Sequence, residues 1–375
     1  MKIVFTGGGS GGHFYPLIAV AQSLNRMIGE RKLLPPRLYF FSNTPFDPEL
    51  LATEHLTYQE IPAGKLRLYA SKENIFDMFR TVLGSLKALW KCFVLYPDVV
   101  FSKGGFGSFP TILATRILGI PVVIHESDSV PGRVNAFAGK FARRVGVAFK
   151  EAALFFPLGR VAYIGNPIRR ELLAPDREHA FDRLHLEVGI PTILVLGGSL
   201  GATLINERVL QILSDLLNTS QVIHQTGKEH IGDIEKEARI TLETHSHKNR
   251  YHPYAYLDLQ TLRLAAGAAD LVISRAGSTI FEIAAWGVPA LLIPISQSNG
   301  DHQRQNAYNY ARGGGAKVIE EDNFSHTILR DEIMAIISDS EKKERMKAAA
   351  LSFAMPDAAD RLAEEILSIA LSHEK

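Results

Sequence analysis

The stretch that most constrains this fold is Gly7-Gly8-Gly9-Ser10-Gly11-Gly12-His13, which directly follows the apolar run Ile3-Val4-Phe5 and precedes helical spacing at Leu17, Val20, Ala21 and Leu24. The order is strand, glycine loop, helix. Pro16 sits where a first-turn proline is tolerated, so the loop's N–H groups converge near a helix N-terminus, a place that attracts anions. With almost no side chains in the way, a phosphate or sugar can approach the backbone closely. A plain βα turn needs one or two glycines, and this loop has five. The pattern returns at Thr192-Ile193-Leu194-Val195-Leu196 with Gly197-Gly198-Ser199-Leu200-Gly201. A chain that restarts the same architecture predicts two Rossmann-like halves, not one dinucleotide domain joined to a differently built substrate domain.

At 375 residues and 46% hydrophobic content, the chain is long enough for two packed domains and too apolar for disorder. Its most apolar segment, Ala284 to Ile295, carries Gly287, Pro289 and Pro294 and falls short of the roughly 18–20 residues of a spanning helix. The expectation is a protein not integral to a membrane. The N-terminal apolar run is too short for a secretory signal, and the single cysteine, Cys92, excludes an internal disulfide and a multi-cysteine metal site. A reducing cytosol fits. The net charge of +1 conceals a division: residues 1–165 hold 19 Lys+Arg against 11 Asp+Glu, and residues 166–375 hold 22 against 29, or +8 and −7. A basic first half is drawn to anionic surfaces or polyanionic substrates, more weakly as salt rises. Incidental solvated surface is the plainer account.

A second strand, Arg37 to Phe41, ends in Ser42-Asn43, where a dinucleotide fold wants an acidic residue for the ribose. Gly7, Gly9 and Gly12 therefore match G-x-G-x-x-G only formally. Residues 65–94 interleave Lys65, Arg67, Lys72, Arg80, Lys87 and Lys91 with large apolar groups that include Phe76, Phe79, Leu86, Trp90 and Phe93. This reads as an amphipathic helix, either resting on anionic headgroups or facing a core. Val99-Val100-Phe101 leads into Ser102-Lys103-Gly104-Gly105-Phe106-Gly107-Ser108, and Val122-Val123-Ile124 ends in His125-Glu126-Ser127-Asp128 at a strand's C-terminal edge, where parallel sheets bind ligands. The pattern pauses at Tyr163-Ile164-Gly165-Asn166-Pro167, which sets the expected domains at 1–165, with 356–375 returning to it, and 166–355. In the second half, Arg275-Ala276-Gly277-Ser278 opens a helix carrying Thr279 and Glu282, and Asp301-His302-Gln303 opens another. Met355-Pro356-Asp357 redirects the chain into a last amphipathic helix, read as crossing back onto the first domain.

Gly8 to His13, His125 to Asp128, Gly165-Asn166-Pro167-Ile168-Arg169, Gly197 to Ala202, His224-Gln225-Thr226-Gly227-Lys228, Ser274 to Ser278 and Asp301 to Gln303 occur in that order. In this set and over nearly its whole length, the chain resembles the lipid I N-acetylglucosaminyltransferases of bacterial peptidoglycan synthesis, inverting enzymes of the GT-B superfamily. The resemblance implies an α/β fold of two Rossmann-like parallel-sheet domains with a cleft between them. It implies transfer of N-acetylglucosamine from UDP-N-acetylglucosamine to the C4 hydroxyl of MurNAc-pentapeptide pyrophosphoryl-undecaprenol, at the cytoplasmic face of the cell membrane, by a peripheral protein. No cofactor and no nucleic acid enter this reaction. The resemblance further implies that the donor belongs mainly to the second domain, with Ser199 and its loop on the diphosphate, Glu282 on the ribose, Gln303 on the sugar, and Arg169, Arg275, Gly277, Ser278 and Thr279 around them, and that Ser10, Gly11 and Gly12 form the acceptor-side floor.

The acceptor hydroxyl must lose a proton as it attacks the anomeric carbon, and UDP must leave with its charge stabilised. His13 is the first candidate base and Glu126 the second, while His125 reads as structural. No Asp-x-Asp pair occurs, so a metal-bridged diphosphate has no support in the sequence, and helix N-termini are the expected substitute. Two departures from the family stand out: Arg275 to Glu282 is one residue shorter than the commoner spacing, and Phe106 replaces a frequent tyrosine. The uracil pocket is expected between His252 and Leu262. A different GT-B enzyme, such as a glycolipid transferase or UDP-sugar epimerase, and a non-catalytic nucleotide binder are the competing readings.

Overall fold

The computed structural model describes residues 1–8, 10–65, 73–198, 201–296 and 301–372. Gly9, Leu66 to Lys72 with its Arg67, and Ser199-Leu200 therefore lie outside the described residues. The chain divides into two compact units, Met1–Arg169 with Met355–Lys375, and Arg170–Ala354. The first unit thus runs past the expected break at 165. Its last residues have partners inside it: Asn166 accepts from the Lys103 ammonium and the Arg169 guanidinium lies 4.0 Å over the Tyr15 ring.

The first unit is built on β1 (Lys2–Thr6), β2 (Arg37–Ser42), β3 (Leu56–Glu60), β4 (Val99–Ser102), β5 (Val122–Glu126), β6 (Arg144–Val147) and β7 (Val161–Tyr163). The second carries β8 (Thr192–Leu196), β9 (Gln221–Gln225), β10 (Tyr251–Tyr254), β11 (Leu271–Ser274), β12 (Ala290–Leu292) and β13 (Ala316–Val318). Every strand pair is parallel, in the orders β3-β2-β1-β4-β5-β6-β7 and β10-β9-β8-β11-β12-β13. Helices on both faces explain why Ile3-Val4-Phe5, Val99-Val100-Phe101 and Ile193-Leu194-Val195 are continuous apolar runs, each fully buried. Strand order reverses between β1 and β4, and again between β8 and β11. At such a switch point two loops leave the sheet in opposite directions and open a crevice at the strands' C-terminal ends. Both glycine loops fall there.

The last helix, Ala358–Ser372, packs along Gly11–Glu30 and sends Leu362, Ile366, Leu367 and Ile369 into the first unit's core. Arg26–Asp360 and Arg144–Glu365, each at 2.7 Å, fix its rim.

The helix Glu73–Leu95 is inverted with respect to ordinary packing. Its inner face is small, with Gly84, Ala88 and Cys92 buried, and a Cβ at Gly84 would collide with the Pro62 carbonyl. Small residues allow close approach, so the large ones point outward: Phe76, Phe79, Leu83, Leu86, Trp90 and Phe93 are each 60% or more exposed. The core-facing reading of this stretch is wrong. No described helix is long and apolar enough to cross a membrane.

Candidate active site

In the first unit the two glycine loops, after β1 and β4, lie on each other. A Cβ at Gly8 would come within 2.8 Å of Gly107 Cα, one at Gly105 within 3.0 Å of the Gly8 carbonyl, and one at Gly7 within 2.7 Å of Leu17. Much of the glycine content thus serves loop-on-loop packing. Ser42 and Asn43 belong to the same contact. The Ser42 hydroxyl donates to the Gly7 carbonyl at 2.8 Å, and Asn43 Oδ1 would stand 2.6 Å from a Cβ at Gly107. The place of a dinucleotide-binding carboxylate is occupied by groups that hold the loops together. Ser10 begins the helix Gly11–Glu30 in extended conformation, with its hydroxyl 3.0 Å from His13 Nδ1. The other ring nitrogen, Nε2, lies against Gly105, 3.5 Å from where a Cβ would be.

Beneath these loops is a buried polar network. Lys103, 1% exposed, donates to His125 Nδ1 at 2.6 Å and to Asn166 Oδ1 at 2.9 Å, and His125 Nε2–H donates to the Gly165 carbonyl at 2.8 Å. The Gly165 carbonyl can only accept, so the hydrogen of the neutral ring sits on Nε2 and Nδ1 is the acceptor toward Lys103. Burial, then the Lys103 charge, holds the imidazole well below its ordinary range, and His125 is a neutral strut. Burial also pulls Lys103 down to about 7, against the nearby Glu126 and Asp128 charges. The Glu126 carboxyl is pushed up to about 7 by burial and by Asp128. It accepts from Asp128 N (3.0 Å), Gly132 N (3.0 Å) and Asn135 Nδ2 (2.9 Å). Asn135 also fills the space beside Gly104, so Glu126 and Asn135 together shape the loop after β5 and its seat against the loop after β4.

The second unit has a different floor. Gly197 and Gly201 are packed as a turn requires, but no described atom lies within 4 Å of a Cβ placed on Gly198 or Gly277. Two helices begin at this switch point, Thr203–Gln211 and Thr279–Trp286, and neither Ala202 nor Ser278 caps its helix through a side chain. Elsewhere in the unit Asp258, Ser325 and Asp339 cap theirs. Helix N–H groups with no described side-chain cap, beside glycine backbone that no described atom covers, are the chemistry an anion favours. Behind it runs a neutral chain: Tyr251 OH to His224 Nδ1 (3.0 Å), His224 Nε2 to Asn206 Oδ1 (3.0 Å), Asn206 Nδ2 to the Thr226 carbonyl (2.9 Å). Burial lowers His224 to about 3, so its ring stays uncharged and the Thr226 loop is held by hydrogen bonds alone.

Arg275 leaves β11 and pairs with Glu321 at 2.6 Å while donating to the Ile293 carbonyl at 2.9 Å. Burial raises Glu321, but bonds from Ser296 N (2.9 Å) and Oγ (2.7 Å) and the Arg275 charge more than offset it, so the carboxyl is lowered. Gln303 Oε1 accepts from Ile295 N at 3.2 Å, and Asn306 Nδ2 donates to the Ala276 carbonyl at 3.3 Å. Arg275, Gly277, Ser278, Thr279, Glu282 and Gln303 therefore belong to two helix starts tied together by Asn306. Ser10, Gly11, Gly12, His13, Glu126 and Arg169 belong to the first unit, and Ser199 lies outside the described residues. Sequence reasoning missed Glu321, Asn135 and Asn306. Only the buried amides, which follow strand ends at helical positions, left any signal. Among the described residues no three or more His, Cys, Asp or Glu gather as metal ligands.

The chain matches the Glycosyltransferase family 28 N-terminal domain over residues 3–147 and the Glycosyltransferase family 28 C-terminal domain over residues 192–362. A UDP-N-acetylglucosamine–N-acetylmuramyl-(pentapeptide) pyrophosphoryl-undecaprenol N-acetylglucosamine transferase from Shouchella clausii (strain KSM-K16) is 37% identical over 97% of this chain and 99% of that protein. The crystal structure of Acinetobacter baumannii MurG superposes with a TM-score of 0.73 at 24% identity, covering 98% of this chain and 99% of that one. A putative UDP-N-acetylglucosamine 2-epimerase from Listeria monocytogenes reaches 0.70 at 16% identity, covering 99% and 96%. Transferases and epimerases share this two-domain architecture, so the fold alone does not separate them and the sequence identity does. The chain belongs to glycosyltransferase family 28, among the UDP-N-acetylglucosamine–N-acetylmuramyl-(pentapeptide) pyrophosphoryl-undecaprenol N-acetylglucosamine transferases.

Proposed function

We propose that this protein transfers N-acetylglucosamine from UDP-N-acetylglucosamine to the C4 hydroxyl of undecaprenyl-pyrophosphoryl-MurNAc-pentapeptide, with inversion at the anomeric carbon. The observation that carries this reading is the 37% identity with a transferase of that name over 97% of the chain. In this reading residues 166–355 bind the donor. The diphosphate rests on Ser199, Gly277, Ser278, Thr279 and the uncapped helix starts, Glu282 takes the ribose hydroxyls, Gln303 the sugar, and Arg275, oriented by Glu321, offsets charge on the departing UDP.

Residues 1–165 receive the acceptor, whose pyrophosphate meets Ser10, Gly11 and Gly12. Arg169, which the resemblance sets around the donor, packs within the first unit over the Tyr15 ring. His13 is the base. In the tautomer that donates from Nδ1–H to the Ser10 hydroxyl, 3.0 Å away, Nε2 is the proton acceptor, the orienter-and-base pairing that general-base catalysis needs. Glu126, saturated by three N–H donors, organises the loop after β5. The outward apolar face of Glu73–Leu95, rimmed by Arg80 and Lys87, rests on the anionic cytoplasmic leaflet that holds the lipid acceptor. Leaving such side chains in water forgoes roughly 1.5–3 kcal/mol each, which insertion at an interface would recover.

Radiolabelled UDP-N-acetylglucosamine with a short-chain lipid I analogue tests the reaction. UDP release matched by labelled disaccharide lipid is expected, and correctly folded protein that gives no transfer sinks the proposal.

A further inference from the structure

The first unit has a second concavity, at the edge of its sheet opposite the glycine loops. Its wall is made where the chain enters β5, β6 and β7, that is, at the strands' N-terminal ends, and its volume is about 350 Å³. Arg116, Arg143, Arg144 and Arg160 surround it, Ile120 and Phe141 give it an apolar side, and no carboxylate is among the lining residues.

The guanidiniums are arranged rather than scattered. Arg116 lies over the Phe141 ring at 5.4 Å, Arg144 is held by Glu365 at 2.7 Å, and Arg160 reaches the Ala142 carbonyl at 3.5 Å. The Arg143 guanidinium bonds to no described residue. The helix Phe109–Leu118 ends here at Gly119, and its C-terminal carbonyls account for one cation, Arg116, in the last turn. They do not account for Arg143 and Arg160, and the Glu365 carboxylate balances Arg144 from outside the lining. Like charges gathered on a concave wall repel one another and concentrate positive potential, so an anion entering the cavity relieves the repulsion. Arginine rather than lysine at all four positions favours a planar fork of donors, the geometry that matches phosphate oxygens.

We propose that this cavity is a binding site for a phosphate group, carried by an anionic lipid headgroup or by a soluble phosphate compound. The site stands apart from the transfer reaction and does not rest on it. The apolar side suits the carbon adjoining a phosphoester. The exposed helix Glu73–Leu95 packs on the helix that ends at the cavity, which sets the site beside an apolar surface.

The test uses the full chain with Arg143→Gln and Arg160→Gln combined, and separately Arg143→Lys with Arg160→Lys. Both side chains are exposed, so folding is checked by circular dichroism and melting. One arm measures co-sedimentation with phosphatidylcholine vesicles with and without phosphatidylglycerol; the other titrates inorganic phosphate. The Gln pair is expected to weaken the phosphatidylglycerol-dependent binding, or the saturable phosphate binding, by about tenfold or more, and the arm that responds names the source. Transfer to a detergent-dispersed acceptor stays unchanged. The Lys pair, which keeps charge but loses the fork, is expected to fall at least severalfold in the same arm. Equal binding by wild type and the Gln pair in both arms overturns the site, and a Lys pair equal to wild type overturns it in favour of a diffuse basic surface.

Discussion

The two switch points are built from the same order of strands and the same glycine-rich turns, yet they differ in what the glycines do. In the first unit Gly7, Gly8, Gly105 and Gly107 let two loops press backbone to backbone over a buried Lys103–His125–Asn166 network. In the second, no described atom meets a Cβ on Gly198 or Gly277, and the neighbouring helices have no described side-chain cap, over a neutral relay through His224. Glycine enrichment thus has two physical meanings in one molecule. One loop pair packs backbone on backbone beside His13, and in the other no described atom covers the glycine backbone.

The largest expected difference between the floors is electrostatic. His224 is neutral by burial alone, whereas His125 is also opposed by Lys103. An unfolded His224 ring takes up a proton below about 6.5 and the folded one only near 3, so its contribution is complete above 6.5 and is lost as pH falls between them. Urea unfolding at about pH 7 and about pH 4.5 is predicted to show His224→Gln losing roughly 2–3 kcal/mol less than wild type on acidification. Equal losses would mean that burial does not hold the ring neutral.

Next in size is a pair of glycine substitutions. Gly8→Ala places a Cβ on the Gly107 backbone and is expected to cost about 1–3 kcal/mol, with transfer activity falling because His13 opens the helix that follows the displaced loop. Gly277→Ala meets no described atom; its stability is predicted to stay within about 0.5 kcal/mol while KM for the donor rises. Melting curves beside donor titrations decide the matter, and the distinction collapses if both variants behave alike.

Removing Arg275 as Arg275→Gln is predicted to raise donor KM about tenfold, and Glu321→Gln to act in the same direction but less, because Glu321 only aims the guanidinium. A double-mutant cycle on kcat/KM that returns additive effects would separate the two residues. The smallest change in stability belongs to the outward helix. Trp90→Ser with Phe93→Ser is expected to leave stability within about 0.5 kcal/mol, as both are exposed, and to reduce vesicle binding measured by sedimentation.

The two-unit α/β fold was legible because a parallel sheet writes itself as buried apolar runs ending in glycine loops, and the restart at Thr192 repeats Ile3 to Gly12. The facing of Glu73–Leu95 was not, since periodicity reports an apolar stripe without saying which side meets protein. The small residues Gly84, Ala88 and Cys92 on the opposite stripe decided that. The partners of the site residues were least legible. Glu321 follows β13 and reaches Arg275 after β11 only through the order of the sheet, and Lys103 reads as a loop cation until the strands bury it against His125 and Asn166. Ser42 and Asn43 were read only as the wrong chemistry for a dinucleotide, and their role in locking two loops depends on a contact between segments far apart in the chain.

The proposed division of labour, with the base beside one glycine platform and the donor on the other, is tested most directly on one variant, His13→Ala. UDP affinity by calorimetry is measured beside the rate of transfer to a lipid I analogue. The account predicts transfer reduced about 10²–10⁴-fold with UDP affinity unchanged. A His13→Ala protein that transfers at the wild-type rate, or that loses UDP affinity in step with its activity, would contradict it.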